Sequence, residues 1–198
     1  MPPPSIRLAL LASGDGSNVQ AILDYFDALG ERGPARVALV ASDRPQAGAL
    51  QRAARHGVPT AVIERPGDGA ALAALLESFQ VDLVALAGYL KYIPAAVTQR
   101  WRGGIVNVHP ALLPKFGGAG MYGQRVHVAV LAAGELESGA TVHEVDEEYD
   151  HGRILGQERV PVERGDTAAT LGARVLAAEH RLYPRTLHAV ALQLQKRS

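Results

Sequence analysis

An Asn and a His set two residues apart, Asn107 and His109, are the side chains in this 198-residue chain best placed for chemistry on a carbonyl carbon. They interrupt the apolar run 105–108 at i and i+2, so on a strand both face the same side. Pro110 removes a ladder donor and Pro114 keeps the next loop from becoming helix, which leaves the pair at a strand's C-terminal mouth. Open α/β sheets bind ligands there. The Asn amide can donate to a developing oxyanion, and a neutral imidazole can take up and return one proton near neutral pH. The chain has no Cys, and no Ser stands beside His109 as an obvious nucleophile, so direct acyl transfer to an amine fits better than a covalent acyl-enzyme. Taken alone, an N-x-H-P sequence is equally met by two side chains that only satisfy a turn.

A second polar stretch, Ser13-Gly14-Asp15-Gly16-Ser17-Asn18, separates the apolar run 6–12 from an amphipathic helix carrying Val19, Ile22, Leu23, Phe26 and Leu29, with Gly30 as its stop. Glycines let the backbone approach a ligand, and free amides at a helix start attract an anion, so a phosphate suits this turn. A P-loop would need a lysine before Ser17, and a dinucleotide fingerprint would need a small residue where Val19 stands. A plain glycine turn capped by Ser17 or Asn18 remains the other reading.

The elements that must position these stretches repeat in a regular way. Strands are expected over 6–12, 37–41, 60–63 and 83–87, separated by helices, one opened by Pro45 and ending at Arg55, another over 70–79. This is the pattern of an α/β, Rossmann-like fold with a mainly parallel central sheet flanked by helices. Asp43 is expected in a turn or cap, and His56 at a helix C-terminus where it meets the dipole. After Pro114, four glycines over 117–123 form a loop assigned to the substrate side. A helix over 124–133 follows, with His127 as a surface or packing residue. Strands are expected over 137–145 and 153–162, joined by the acidic loop 146–152, whose Glu147 and Glu148 are read as solvated. Thr141 and His143 share one face of the first of these strands. The last helix is capped at 165–167 and expected to kink at Pro184.

The run Asn107-Val108-His109-Pro110-Ala111-Leu112-Leu113-Pro114-Lys115, followed by residues 139–146 and Tyr149-Asp150-His151-Gly152, resembles the folate-dependent formyltransferases in order and spacing. The glycine turn 13–18 and the pairs Glu179-His180 and Tyr183-Pro184 extend the resemblance over nearly the whole chain. It implies a single formyltransferase domain over 1–198, with a phosphate-binding half (1–100) and a catalytic and folate-binding half (101–198). Within the family, the branch that formylates glycinamide ribonucleotide in purine biosynthesis is the nearest. The implied catalytic residues are Asn107, His109 and Asp150, the carboxylate orienting the imidazole. Gly16, Ser17, Asn18 and Glu179 would hold the ribonucleotide, its phosphate and its ribose hydroxyls. Arg65, Leu90, Lys91, Tyr92 and Ile93 would hold 10-formyltetrahydrofolate as co-substrate. Three positions depart from the family pattern: Asp15 and Lys91 replace Asn and Arg, and Leu176 stands where a polar residue is common near the phosphate. A formyltetrahydrofolate hydrolase and a non-catalytic nucleotide-binding module are the competing functions.

Bulk properties agree with small-molecule partners. The 20 basic and 20 acidic residues balance, giving no electrostatic footprint for nucleic acid or an anionic membrane surface. The start Met1-Pro2-Pro3-Pro4-Ser5 lacks the pattern of an export signal, and no stretch supplies about 20 uninterrupted apolar residues. A cytoplasmic protein is expected, with a homodimer allowed. His109, His143, His151 and Asp150 lack paired-His helical spacing and a Cys ligand, so no metal is expected.

Overall fold

The computed structural model describes residues 5–197, so the Pro-rich lead read above as lacking an export signal lies, up to Pro4, outside the described residues. One seven-stranded sheet carries the chain, in the order β3-β2-β1-β4-β5-β6-β7. The strands are β1 (Ile6–Leu11), β2 (Ala35–Ser42), β3 (Thr60–Val62), β4 (Leu83–Leu86), β5 (Ile105–His109), β6 (Glu137–Glu144) and β7 (Ile154–Pro161). The first five run parallel, β6 pairs antiparallel to β5, and β7 pairs antiparallel to β6. The helices are α1 (Ser17–Leu29), α2 (Gly48–Arg55), α3 (Gly69–Ser78), α4 (Ala95–Arg100), α5 (Gln124–Ala132) and α6 (Ala168–Gln195).

Both faces of the sheet are covered, which is why β1 and β4 read as continuous apolar runs rather than alternating ones. Residues of β1 split between two cores: Leu8 and Leu10 pack with α1 and α6, while Ala9 and Leu11 pack with α3 and α4. Two details differ from the sequence reading. Pro45 does not open α2; it lies in the turn closed by the Ala47 amide on the Arg44 carbonyl, and the helix begins at Gly48. The short α4, absent from the sequence reading, follows Pro94 and is pinned by Trp101, whose indole donates to the Val81 carbonyl at 2.9 Å.

α6 starts with a reciprocal cap, Thr167 Oγ1 accepting from the Thr170 amide at 3.2 Å while the Thr167 amide donates to Thr170 Oγ1 at 2.9 Å. The helix continues through Pro184 to Gln195. Just before that proline, the fully buried Tyr183 sends its hydroxyl to the carbonyls of Val106 (2.8 Å) and Leu86 (3.2 Å). One phenol thus fastens α6 to the adjoining strands β4 and β5 near the mouth that holds Asn107. Tyr183→Phe leaves these buried carbonyls without that donor and is expected to cost about 1–3 kcal/mol, read as a shift in urea midpoint at unchanged slope.

Candidate active site

Register is what gathers the polar groups. β5 pairs with β6 so that Asn107 lies opposite His143 and His109 opposite Thr141, which puts all four on one face. Thr141 is structural: its hydroxyl donates to the Ala111 carbonyl at 2.6 Å and accepts from the Leu113 amide at 3.0 Å, holding the turn after β5. The two histidines converge on Asp150, and Asn107 reaches the cluster through His143. Asp150 Oδ2 lies 3.4 Å from His109 Nδ1, its Oδ1 lies 3.4 Å from His143 Nε2, and the Gly118 amide donates to Oδ2 at 3.0 Å. Asp150 adopts a left-handed backbone conformation, φ 57°, which Asp tolerates better than most residues.

The proton positions follow from fixed carbonyls. His109 Nε2 lies 2.8 Å from the Phe116 carbonyl, so it carries the hydrogen, and a neutral ring keeps its lone pair at Nδ1, facing Asp150. Burial pushes the His109 pKa below its ordinary 6.5, against the opposing pull of Asp150. The resting ring is neutral, and its cation, once formed, meets both a carbonyl and a carboxylate. Burial also works against ionised Asp150, yet His143, His109 and the Gly118 amide together hold its carboxyl below the usual range. His143 donates from Nδ1 to the Glu144 carbonyl at 2.8 Å. Its Nε2 lies 3.1 Å from Asn107 Nδ2, so it can accept from the amide or donate to Asp150, one proton deciding which.

This centre opens into a cleft of about 560 Å³. One end is lined by Leu90, Lys91, Tyr92 and Ile93, the other by Asn18, Leu176 and Glu179. Tyr92 also ties its loop to the loop of Asp150, donating to the Glu147 carbonyl at 2.9 Å and meeting the Tyr149 ring edge-on at 5.5 Å. Lys91 Nζ lies 3.9 Å from Asp43, whose carboxylate is buried beside the sheet rather than capping α2. Arg65 is not brought into the cleft; its exposed side chain pairs with Asp68 at 3.2 Å.

At the far end, α1 begins at Ser17 with no side-chain cap, so neither Ser17 nor Asn18 closes its own turn. Gly16 has φ 80°, and a Cβ there would meet the Ala49 Cα at 2.6 Å, so only glycine fits between α1 and α2. Asp15 does not crowd the free amides. Arg52 of α2 holds its carboxylate at 2.6 Å and its carbonyl at 2.8 Å. Asn18 turns its amide to Glu179 instead, Nδ2 donating to Oε2 at 2.5 Å. Burial pushes the Glu179 carboxyl up to about 7, with the Asn18 hydrogen bond pulling the other way.

Formyl transferase is the family whose model matches residues 6–187 of this chain. The chain belongs to that family. A chloroplastic phosphoribosylglycinamide formyltransferase of Vigna unguiculata is 42% identical over 93% of the chain, which spans 60% of that relative. The trifunctional purine biosynthetic protein adenosine-3 of Homo sapiens is 40% identical over 93% of the chain, which spans 18% of it. The fold is shared with the crystal structure of glycinamide ribonucleotide transformylase 1 from Symbiobacterium toebii, with a TM-score of 0.88, 40% identity and coverage of 96% of this chain and 89% of that one. No helix among the described residues is long and apolar enough to cross a membrane, and no group of His, Cys, Asp and Glu among them is placed to hold a metal.

Two cleft residues escaped the sequence reading. His143 could have been found from the strand register, since alternation already put it on the face of Thr141. Of the two readings given for His127, surface or packing, the structure shows the second: it is buried, and it also lines the cleft, which the sequence did not suggest. Glu179 yields a test independent of any substrate. Its folded carboxyl titrates near 7 against an ordinary 4.5, so the penalty of ionising it inside the fold is absent below pH 4.5, grows as pH rises, and is complete above 7. That penalty amounts to about 3 kcal/mol. Glu179→Gln is therefore expected to raise the melting temperature at pH 8 more than at pH 4, measured by differential scanning calorimetry without ligand.

Proposed function

We propose that this cleft transfers the formyl group of 10-formyltetrahydrofolate to the amine of glycinamide ribonucleotide, a step of purine biosynthesis carried out in the cytoplasm. The observation that carries the reading is the meeting of Asn107, His109 and Asp150 midway between an uncapped helix start and a pocket walled by Leu90–Ile93. The helix start and Glu179 suit a phosphate and ribose hydroxyls, and the opposite pocket suits a flat heterocycle. Lys91 would meet the folate's polar tail; Arg65, outside the cleft, would reach only a tail extending over the surface. Phosphate binding falls to the half before residue 100 and catalysis to the half after it, the two joined by the Asn18–Glu179 hydrogen bond.

In the reaction the acceptor amine attacks the formyl carbon, and the carbonyl electron pair moves onto oxygen, where the remaining N–H of the Asn107 amide donates to it. The amine's proton passes to the neutral His109, whose cation is stabilised by Asp150 at Nδ1 and the Phe116 carbonyl at Nε2. Collapse of the tetrahedral centre breaks the bond to the folate nitrogen, which takes the proton back. No covalent enzyme intermediate and no metal is required.

The test is the absorbance change of a 10-formyl folate mixed with the protein, with and without glycinamide ribonucleotide. Release of deformylated folate only in the presence of the amine is expected; release without it would assign a hydrolase. Asn107→Ala and Asp150→Ala are each expected to lower turnover by roughly 100- to 1000-fold while both substrates bind within about a few-fold of wild type. Near-normal turnover in either variant would sink the mechanism.

A further inference from the structure

His127 is a buried imidazole that the reaction above does not use. It sits on α5, is 6% exposed, and has no hydrogen-bond partner among the described residues. Nδ1 is sealed from solvent and unpaired. A sealed N–H without a partner is rarer and costlier than a sealed lone pair, so the favoured tautomer carries its hydrogen on Nε2. That edge of the ring, Cδ2 and Nε2, lies against Gly172 of α6, and both residues line the cleft. A Cβ on Gly172 would meet Cδ2 at 3.0 Å and Nε2 at 3.2 Å. Glycine is unfavourable inside a helix, and here its missing side chain is what leaves the imidazole its place. Burial pushes the His127 pKa below its ordinary 6.5, and the nearby His109 adds to the push, so a cation there is disfavoured. One turn further along α6 stands Leu176, which lines the same cleft with a side chain that can offer no hydrogen bond.

We infer that His127 is a specificity-determining residue for the acceptor, its Nε2–H donating to an oxygen of the ribonucleotide in the end of the cleft bounded by α5 and α6. A neutral N–H discriminates by hydrogen bonding rather than by charge, and in a dry wall the loss of an oxygen partner leaves it unsatisfied. The inference rests on the acceptor proposed above, and the shared chemistry it names is an oxygen that accepts one hydrogen bond, whether from the glycinamide carbonyl or from the sugar phosphate.

Isothermal titration of glycinamide ribonucleotide and of ribose 5-phosphate into folate-free protein, paired with KM values for both substrates, decides it. His127→Phe is expected to weaken the ribonucleotide about tenfold while leaving the KM for 10-formyltetrahydrofolate within about twofold. His127→Gln, which keeps a terminal N–H, is expected to recover affinity to within about threefold of wild type, and Gly172→Ala, which crowds the ring, to imitate part of the loss. Equal weakening of ribose 5-phosphate assigns the bond to the sugar phosphate, and weakening of the ribonucleotide alone assigns it to the glycinamide carbonyl. Unchanged ribonucleotide affinity in His127→Phe, an equal effect on the folate, or no recovery in His127→Gln overturns the inference. Wild-type protein that binds the ribonucleotide without accepting a formyl group would refute the reaction, while the titrations would still decide the role of His127.

Discussion

A carboxylate taken out of water needs compensation, and for Asp150 it comes from one backbone amide, and from two imidazoles when they carry a proton toward it, rather than from a lysine or arginine. Those partners arrive from three different parts of the chain. His109 is delivered by β5, His143 by β6, and Gly118 by the glycine-rich loop between them. The site therefore exists only if β6 pairs antiparallel to β5 in the observed register. A slip by one residue would turn Asn107 and His109 away from His143 and bury apolar side chains against the carboxylate. The change from parallel to antiparallel pairing at β5 is thus what creates the centre, since it sets two polar strand faces side by side at one mouth.

The cleft also shows where stability has been surrendered. Glu179 is buried with a single amide partner, Asn18 leaves its own Oδ1 unpaired, and His127 leaves a ring nitrogen unpaired. Groups of this kind are rarely kept for folding alone. Their positions along one wall agree with a ligand that supplies the missing partners, whereas the paired Thr141, with Ala111 and Leu113, belongs to the scaffold. The departure at Asp15 is resolved by the neighbouring helix. Arg52 takes the carboxylate and the carbonyl of the same residue, so an acidic side chain can stand beside an anion-seeking turn without facing it.

Most of the fold was legible because buried parallel strands announce themselves: 6–12 and 83–87 are apolar without alternation, and each is followed by glycine or by a helix pattern. Element ends were less legible. Pro45 suggests a helix start, but the turn before Gly48 depends on how β2 ends, which local sequence does not express. α4 is short and stabilised by tertiary contacts such as the Trp101 indole, so it has little periodicity of its own. Within the site, Asn107, His109 and Asp150 could be named because they lie in extended motifs. His143 and His127 required knowledge of which strand lies beside β5 and which helix faces α6. The placement of Arg65 away from the cleft has the same origin: a residue after a strand can point along the sheet or over its edge, and sequence spacing does not distinguish the two.

The hydroxyl of Tyr183 carries a consequence for motion. By reaching carbonyls on both β4 and β5 it fixes α6 along its own axis, because a slide of one helical turn would strand the phenol in an apolar layer. The wall that holds Leu176 and Glu179 is therefore a rigid abutment. The facing wall is built from the segments 117–123 and 146–152, which carry no helix or strand and are tied by the Gly118 amide on Asp150 and the Tyr92 hydroxyl on the Glu147 carbonyl. In mechanical terms the cleft resembles a vice whose fixed jaw is α6, with the carboxylate of Asp150 clamped in the facing jaw by the Gly118 amide.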